Sequence, residues 1–144
     1  MDKETLLKKY WGFTTFKPLQ KDIINSTMAG HDTVGLLPTG GGKSLCYQLP
    51  SLLKEGFVLV ISPLIALMED QVQDLLKRDI KAMYFESHKK SISLTQQLDN
   101  CTFGDYKVVY VSPEKLTNTL FLQQIIHAPI SLIAIDEAHC ISEW

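Results

Sequence analysis

Three consecutive glycines followed by lysine and serine, Gly40-Gly41-Gly42-Lys43-Ser44, restrict this chain more than any other stretch. Residues without a Cβ take positive φ readily and can turn successive backbone N–H groups towards one anion. In such a cradle Lys43 reaches the β and γ phosphates of a nucleotide, and the Ser44 hydroxyl holds a magnesium ion. The helix expected after Ser44 points its positive end at the same phosphates. Thr33 to Leu37 is short and apolar, and predicts a strand feeding the loop. The general phosphate-loop pattern has glycine where this chain has Leu37, so the stretch from Pro38, through Thr39, to Ser44 is a variant of it. A bare glycine-rich turn is the competing reading, and Lys-Ser directly after the glycines argues against it.

The chain has 144 residues, 45% of them apolar, enough for one domain with a real core. A net charge of -2 and the lack of a basic stripe do not advertise a polyanion partner, and Lys89-Lys90 reads as a solvated loop. Nucleic acid stays open as a partner, because amides and hydroxyls also hold phosphates. There is no charged-then-apolar leader and no apolar run near the ~18 residues of a membrane span, so no membrane partner is expected. Cys46, Cys101 and Cys140 are far apart and lack metal-ligand spacing; they read as reduced thiols of a cytoplasmic protein, in a bacterial-type cytosol or nucleoid. His31, His88 and His127 stand without a constellation around them.

Residues 2 to 11 predict a short helix carrying Leu6, Leu7 and Tyr10, closed by Gly12. Pro18 suits the first turn of a second helix running to Met28, with Gly30 beyond its end. The helix after Lys43 carries Leu45, Leu49, Leu52 and Leu53, and Pro50 should kink or interrupt it. Phe57 to Ile61 is continuously apolar, the mark of a strand buried on both faces in a parallel sheet. Ser62-Pro63 reads as a helix start, serine capping and proline first, for a helix reaching about Arg78. Ala82 to Phe85 predicts a third strand and Ser91 to Cys101 a weak helix. Tyr106 to Val111 predicts a fourth strand, Ser112-Pro113-Glu114 a second serine-proline helix start, and Ile130 to Ile135 a fifth strand. Strands alternating with helices give a doubly wound α/β sheet whose ligands sit beyond the carboxyl ends of the strands.

The fifth strand delivers Asp136-Glu137 to that edge. An aspartate there holds Mg²⁺, usually through water, and the neighbouring carboxylate orients the attacking water. Asp136 is then the metal residue and Glu137 the catalytic carboxylate, with Lys43 as the third catalytic group.

Asp136-Glu137-Ala138-His139-Cys140-Ile141-Ser142-Glu143-Trp144 joins the glycine loop, extended through Leu45-Cys46-Tyr47-Gln48, and Phe13-Thr14-Thr15-Phe16-Lys17-Pro18-Leu19-Gln20. Together they resemble the RecQ family of ATP-dependent DNA helicases in superfamily 2. Ser62 to Gln71 and Ser112 to Leu116 are similar to that family's first two DNA-contact motifs. The resemblance covers essentially the whole chain. It implies a partial RecA-like ATP-binding domain over residues 1–144, truncated after the Asp-Glu-Ala-His strand. Residues 1–30 supply N-terminal helices and an adenine-recognition motif, and residues 31–144 the phosphate-loop core.

By that resemblance the cofactors are ATP and Mg²⁺, and the partner of the complete protein is single-stranded or duplex DNA, unwound 3′ to 5′ in repair and recombination. Gln20 matches the glutamine that reads adenine by a two-point hydrogen bond. Phe13 and Lys17 match the aromatic and basic residues that sandwich the base, and His139 the histidine that couples nucleotide state to DNA. Phe13 and Phe16 can also be read as core residues, and His139 as a loop histidine. Ser62 and Ser112 have two readings, helix caps or holders of a DNA phosphate. The family commonly has Arg-Pro-Gly-Gln where this chain has Lys17-Pro18-Leu19-Gln20. Lysine cannot stack as a planar guanidinium does, so a weaker grip on adenine is expected.

In the resembling helicases a further strand with a Ser-Ala-Thr motif inserts between the phosphate-loop and Asp136 strands. This chain has none, so a central vacancy in the sheet is expected, and the chain reads as a piece of a longer protein. The second RecA-like lobe with its arginine finger is missing too, and Arg78 at a helix end is no substitute. The expectation is weak Mg·ATP binding at most and no unwinding by these residues alone. The alternatives are an Asp-Glu-Ala-His RNA helicase lobe, opposed by Cys140 to Trp144 and Phe13 to Gln20, or a nucleotide-binding module without turnover, opposed by Lys43, Asp136 and Glu137. A GTPase would show an Asn-Lys-x-Asp motif, and the sequence has none.

Overall fold

The computed structural model describes residues 2–37, 42–85 and 94–136. The chain divides into two compact units, Met1–Glu55 and Gly56–Trp144.

In the first unit Asp2 caps helix α1 (Lys3–Trp11): its carboxylate accepts the Thr5 N–H at 2.8 Å, and Gly12, at φ 76°, ends the helix. Helix α2 (Gln20–Met28) follows, then α3 (Leu45–Gln48) and α4 (Pro50–Leu53). The break between the last two falls where Pro50, having no N–H to donate, was expected to interrupt a longer helix. Leu6, Leu7, Ile24, Leu45 and Leu49 form the core, with Tyr10, Phe16, Leu52 and Leu53 against it. Pro18 lies outside α2, because Leu19 adopts a left-handed backbone through which a right-handed helix cannot propagate.

The second unit is a sheet of four described strands: β1 (Phe57–Ile61), β2 (Ala82–Tyr84), β3 (Val108–Val111) and β4 (Ile130–Ile135). Their order is β2-β3-β1-β4, and every pairing is parallel. The connections run through α5 (Ile65–Lys77), α6 (Leu94–Phe103), a 3₁₀ turn at Pro113–Thr117, and α7 (Thr119–Ile125). Phe57, Leu59 and Ile61 of β1 and Val109 and Val111 of β3 share a core with Leu98, Cys101, Phe121 and Ile125 of α6 and α7. Phe85 meets Phe121 edge to face, ring centres 5.2 Å apart. Alternation turns Val58, Val60, Val108 and Tyr110 to the opposite face, where they too are fully buried. This two-sided burial accounts for the unbroken apolar runs.

Three local expectations are corrected. Thr33 to Leu37 forms no strand, and Val34 and Leu36 are 87% and 83% exposed. A strand is held by its neighbour's ladder, and among the described residues none pairs with this segment. Ser62-Pro63 does not open α5: Ser62 N–H donates to Val111 O at 3.0 Å and so stays in the sheet, Leu64 is extended, and the helix begins at Ile65. Ser112-Pro113 opens a 3₁₀ turn rather than an α-helix, and Asn118 caps the true helix behind it by accepting the Phe121 N–H at 3.0 Å.

Strand β4 pairs with β1 alone among the described strands, and its Ile133 and Ile135 are 57% and 45% exposed. Among the described residues no helix is long and apolar enough to cross a membrane.

Candidate nucleotide-binding site

Gly42 is the first described residue of the glycine loop, with φ at 73°. Lys43 and Ser44 turn the chain into α3: Cys46 N–H returns to Lys43 O at 3.1 Å and Gln48 N–H to Ser44 O at 3.0 Å. Lys43 is exposed, as a phosphate ligand must be, whereas Cys46 is buried. Burial pushes the Cys46 thiol up to about 11, which keeps it protonated and chemically quiet near neutral pH.

The base-reading candidates surround one turn. Phe13 is 53% exposed and Lys17 is exposed, so both present side chains to solvent rather than to the core; Phe16 is the aromatic that packs. Gln20 is 3% exposed. Its Oε1 accepts the Lys17 N–H at 2.8 Å and its Nε2 donates to Gly42 O at 2.9 Å. The turn named for adenine and the loop named for phosphate are therefore hydrogen-bonded within one unit. A Cβ on Gly42 would stand 2.2 Å from Gln20 Nε2, so the third glycine is needed for close approach as well as for its φ. Sequence reading missed this contact, which spans 22 residues and carries no local signature.

In the second unit the carboxyl edge of the sheet carries a row of three polar residues. Ser112 follows β3, Ser62 follows β1 and Asp136 follows β4, and they are 3%, 1% and 6% exposed. The ladder continues through them, with Asp136 N–H donating to Ile61 O at 2.9 Å. Asp136 Oδ2 is buried and accepts no hydrogen bond among the described residues, so a polar ligand or cation would satisfy it. Ser62 Oγ lies 3.5 Å from Leu64 N, at the outer limit of a hydrogen bond, and α5 begins beyond it at Ile65 with no side-chain cap. Beyond β3 a cavity of about 290 Å³ is lined by Ser112, Glu114, Lys115, Thr117 and Asn118. Thr117 and Asn118 were not singled out by the sequence, although an asparagine before an apolar run is itself a cap signal.

Thr39, Gly40, Gly41, Glu137 and His139 lie outside the described residues, as do Lys89, Lys90, His88 and Cys140. Arg78 closes α5 and pairs with Asp74 at 3.0 Å. Among the described residues no three His, Cys, Asp or Glu side chains cluster as a metal site. The candidate donors for magnesium are a serine hydroxyl and a buried carboxylate, both hard oxygen ligands that suit it.

An all-parallel α/β sheet with an acidic residue at its carboxyl edge, in a chain carrying a glycine-lysine-serine loop, defines the class of phosphate-loop nucleotide-binding proteins. Residues 17–144 match the DEAD/DEAH box helicase family, and the chain belongs to it. It is 47% identical to the probable ATP-dependent DNA helicase RecS of Bacillus subtilis, a match spanning 96% of this chain and 28% of that protein. It is 45% identical to the ATP-dependent DNA helicase RecQ of Pasteurella multocida, over 96% of this chain and 22% of that protein, and 43% identical to RecQ of Bacillus subtilis, over 98% and 24%. The chain thus spans about a quarter of the length of the curated relatives it matches.

Proposed function

We propose that this chain is the ATP-binding part of the first lobe of a RecQ-type, ATP-dependent DNA helicase. The observation that carries the reading is the junction at Gly42, where the Gln20 amide meets the last glycine immediately before Lys43-Ser44. Base and phosphate recognition are joined there in one piece of structure. Lys43 would neutralise the β and γ phosphates, and Gln20, with Phe13 and Lys17 beside it, would select adenine. Ser44 and Asp136 would hold magnesium, whose charge would draw off electron density developing between those phosphates. Glu137 would orient the attacking water and His139 would pass the nucleotide state to DNA. DNA phosphates would lie along the carboxyl edge of the sheet, at Ser62 and at the Ser112 cavity with Lys115. Strand separation would belong to the complete protein, with a second lobe supplying the arginine finger.

Calorimetric titration with Mg·ATP and Mg·GTP tests this reading. ATP is expected to bind and GTP to be rejected. Lys43→Ala should weaken ATP about tenfold to a hundredfold, the worth of a charge-assisted contact. Equal binding of both nucleotides, or no effect of the lysine, refutes the assignment.

A further inference from the structure

The Lys17–Gln20 turn is built in an uncommon way. Gln20 N–H donates to Lys17 O at 3.1 Å, with Pro18 and Leu19 at the two central positions. Leu19 has φ 71° and ψ -18°, the conformation of the second central residue in a type II turn. Glycine is the ordinary occupant there, because a Cβ in the left-handed region crowds the backbone carbonyl. Leucine is disfavoured relative to glycine by roughly tenfold in conformational equilibrium. Some other interaction must hold the turn. Gln20 does so twice over, its Oε1 closing the turn on the Lys17 N–H and its Nε2 tying it to Gly42 O.

The second bond reaches Lys43. The carbonyl of Gly42 and the N–H of Lys43 belong to one planar trans peptide and point in opposite directions. Pinning Gly42 O against Gln20 therefore aims the Lys43 N–H away from Gln20 and fixes the direction in which the loop offers its last amide before α3. We propose that Gln20 is a positioning residue of the phosphate loop, independent of any base it reads, and that the strained Leu19 makes the base-reading turn depend on it. Without the Gln20 side chain the turn relaxes at Leu19, and the Gly42–Lys43 peptide is no longer held.

This inference rests on the nucleotide reading above, and a ligand without a base separates the two. Magnesium tripolyphosphate and Mg·ATP are titrated against the native chain, Gln20→Ala and the double variant Leu19→Gly/Gln20→Ala. Gln20→Ala is expected to weaken tripolyphosphate about fivefold, the worth of one lost hydrogen bond, and ATP by more. In the double variant glycine holds the left-handed turn unaided but supplies no donor to Gly42 O, so the thermal stability lost in Gln20→Ala returns while the tripolyphosphate and ATP losses persist. Should Gln20→Ala fail to fold by circular dichroism, Gln20→Glu keeps the acceptor for the Lys17 N–H, removes the donor to Gly42 O, and should show the same tripolyphosphate loss. Native tripolyphosphate affinity in these variants, with ATP alone weakened, overturns the positioning role. Failure of the double variant to regain the melting temperature lost in Gln20→Ala overturns the dependence on Leu19, and native tripolyphosphate affinity in it overturns the role of the Gly42 bond. A native chain that binds neither ligand overturns the nucleotide reading itself.

Discussion

Gly56 offers a test of how β1 and β4 are joined. Its φ is 84°, and a Cβ built on it would lie 2.1 Å from Pro129 O and 3.0 Å from Pro129 C, both backbone atoms. That oxygen accepts the Phe57 N–H at 2.9 Å, the rung that starts the pairing of the two strands. Gly56→Ala therefore does two things. It places an alanine in the left-handed region, at about 1–2 kcal/mol. It also pushes the Pro129 carbonyl off its donor, at about 1 kcal/mol for the lost bond. The sum is about 2–3 kcal/mol, a large share of the ~5–15 kcal/mol typical of a domain.

Gly12 separates the two parts. Its φ of 76° is nearly the same, yet nothing lies within 4 Å of an added Cβ. Gly12→Ala should show the conformational part alone. Both variants are measured by urea unfolding followed by circular dichroism, and by thermal melting, where ~1 kcal/mol corresponds to about 3–4 °C in a chain of 144 residues. Gly56→Ala should fall about 6–12 °C and Gly12→Ala clearly less. Equal losses would refute the clash argument, because the backbone preference would then explain everything.

The remaining expectations concern chemistry. Lys17→Arg should tighten ATP about twofold to fivefold, since a guanidinium stacks on an aromatic base where an ammonium does not, and titration giving equal or weaker binding counts against the sandwich reading. Burial lifts the Cys46 and Cys101 thiols to about 11 and about 12, so in a Cys140→Ser background their labelling by a thiol reagent at pH 8 should be slower than for a free thiol by about a hundredfold and about a thousandfold; rapid labelling of the folded chain would show the burial to be wrong. The same raised values favour the neutral thiols in the folded state. Their stabilisation is whole below the unfolded value near 9 and is lost as pH rises from there through about 11 to 12, so a chain that gains stability across that window would contradict the assignment.

Much of the fold was legible because it is written locally. The limits of β1 follow from an unbroken apolar run and those of β4 from an apolar run broken only by Ser131, and the interruption before α4 follows from Pro50 lacking an N–H. What failed was relational. Val34 and Leu36 look as strand-like as Val58 and Val60, but a strand also needs a neighbour, and the first pair is exposed while the second is buried. Ser62-Pro63 has the composition of a helix start, yet the ladder bond from Ser62 to Val111 outweighs local preference. The helix expected from Ser112-Pro113 begins later, at Thr119 behind Asn118, and the exposure of Leu120 and Leu122 blurs the one-faced period that would have placed it. The site divides in the same way. Lys43, Ser44 and Asp136 announce themselves by motif, whereas the Gln20 bond to Gly42 and the left-handed Leu19 arise from contacts and dihedrals that no short pattern encodes, although leucine in place of the expected glycine was a trace of the second.

The polar row at the sheet edge depends on one such relation. Phe57 pairs with Ile130 but Val58 pairs with Leu132, so Ser131 is an extra residue on β4, a bulge at the foot of the strand. Its hydroxyl is buried without a hydrogen-bond partner among the described residues. From Val58 onward the register is regular, and Ile61 stands opposite both Val111 and Ile135. Were the bulge absent, Ile61 would face Ala134, Asp136 would overshoot Ser62 by one residue, and its side chain would turn to the other face of the sheet. The acidic residue is thus brought level with Ser62 and Ser112 by a single extra residue next to the tight corner at Gly56 and Pro129. The placement of the acidic residue at the carboxyl edge is set by a backbone feature at the opposite end of the strand.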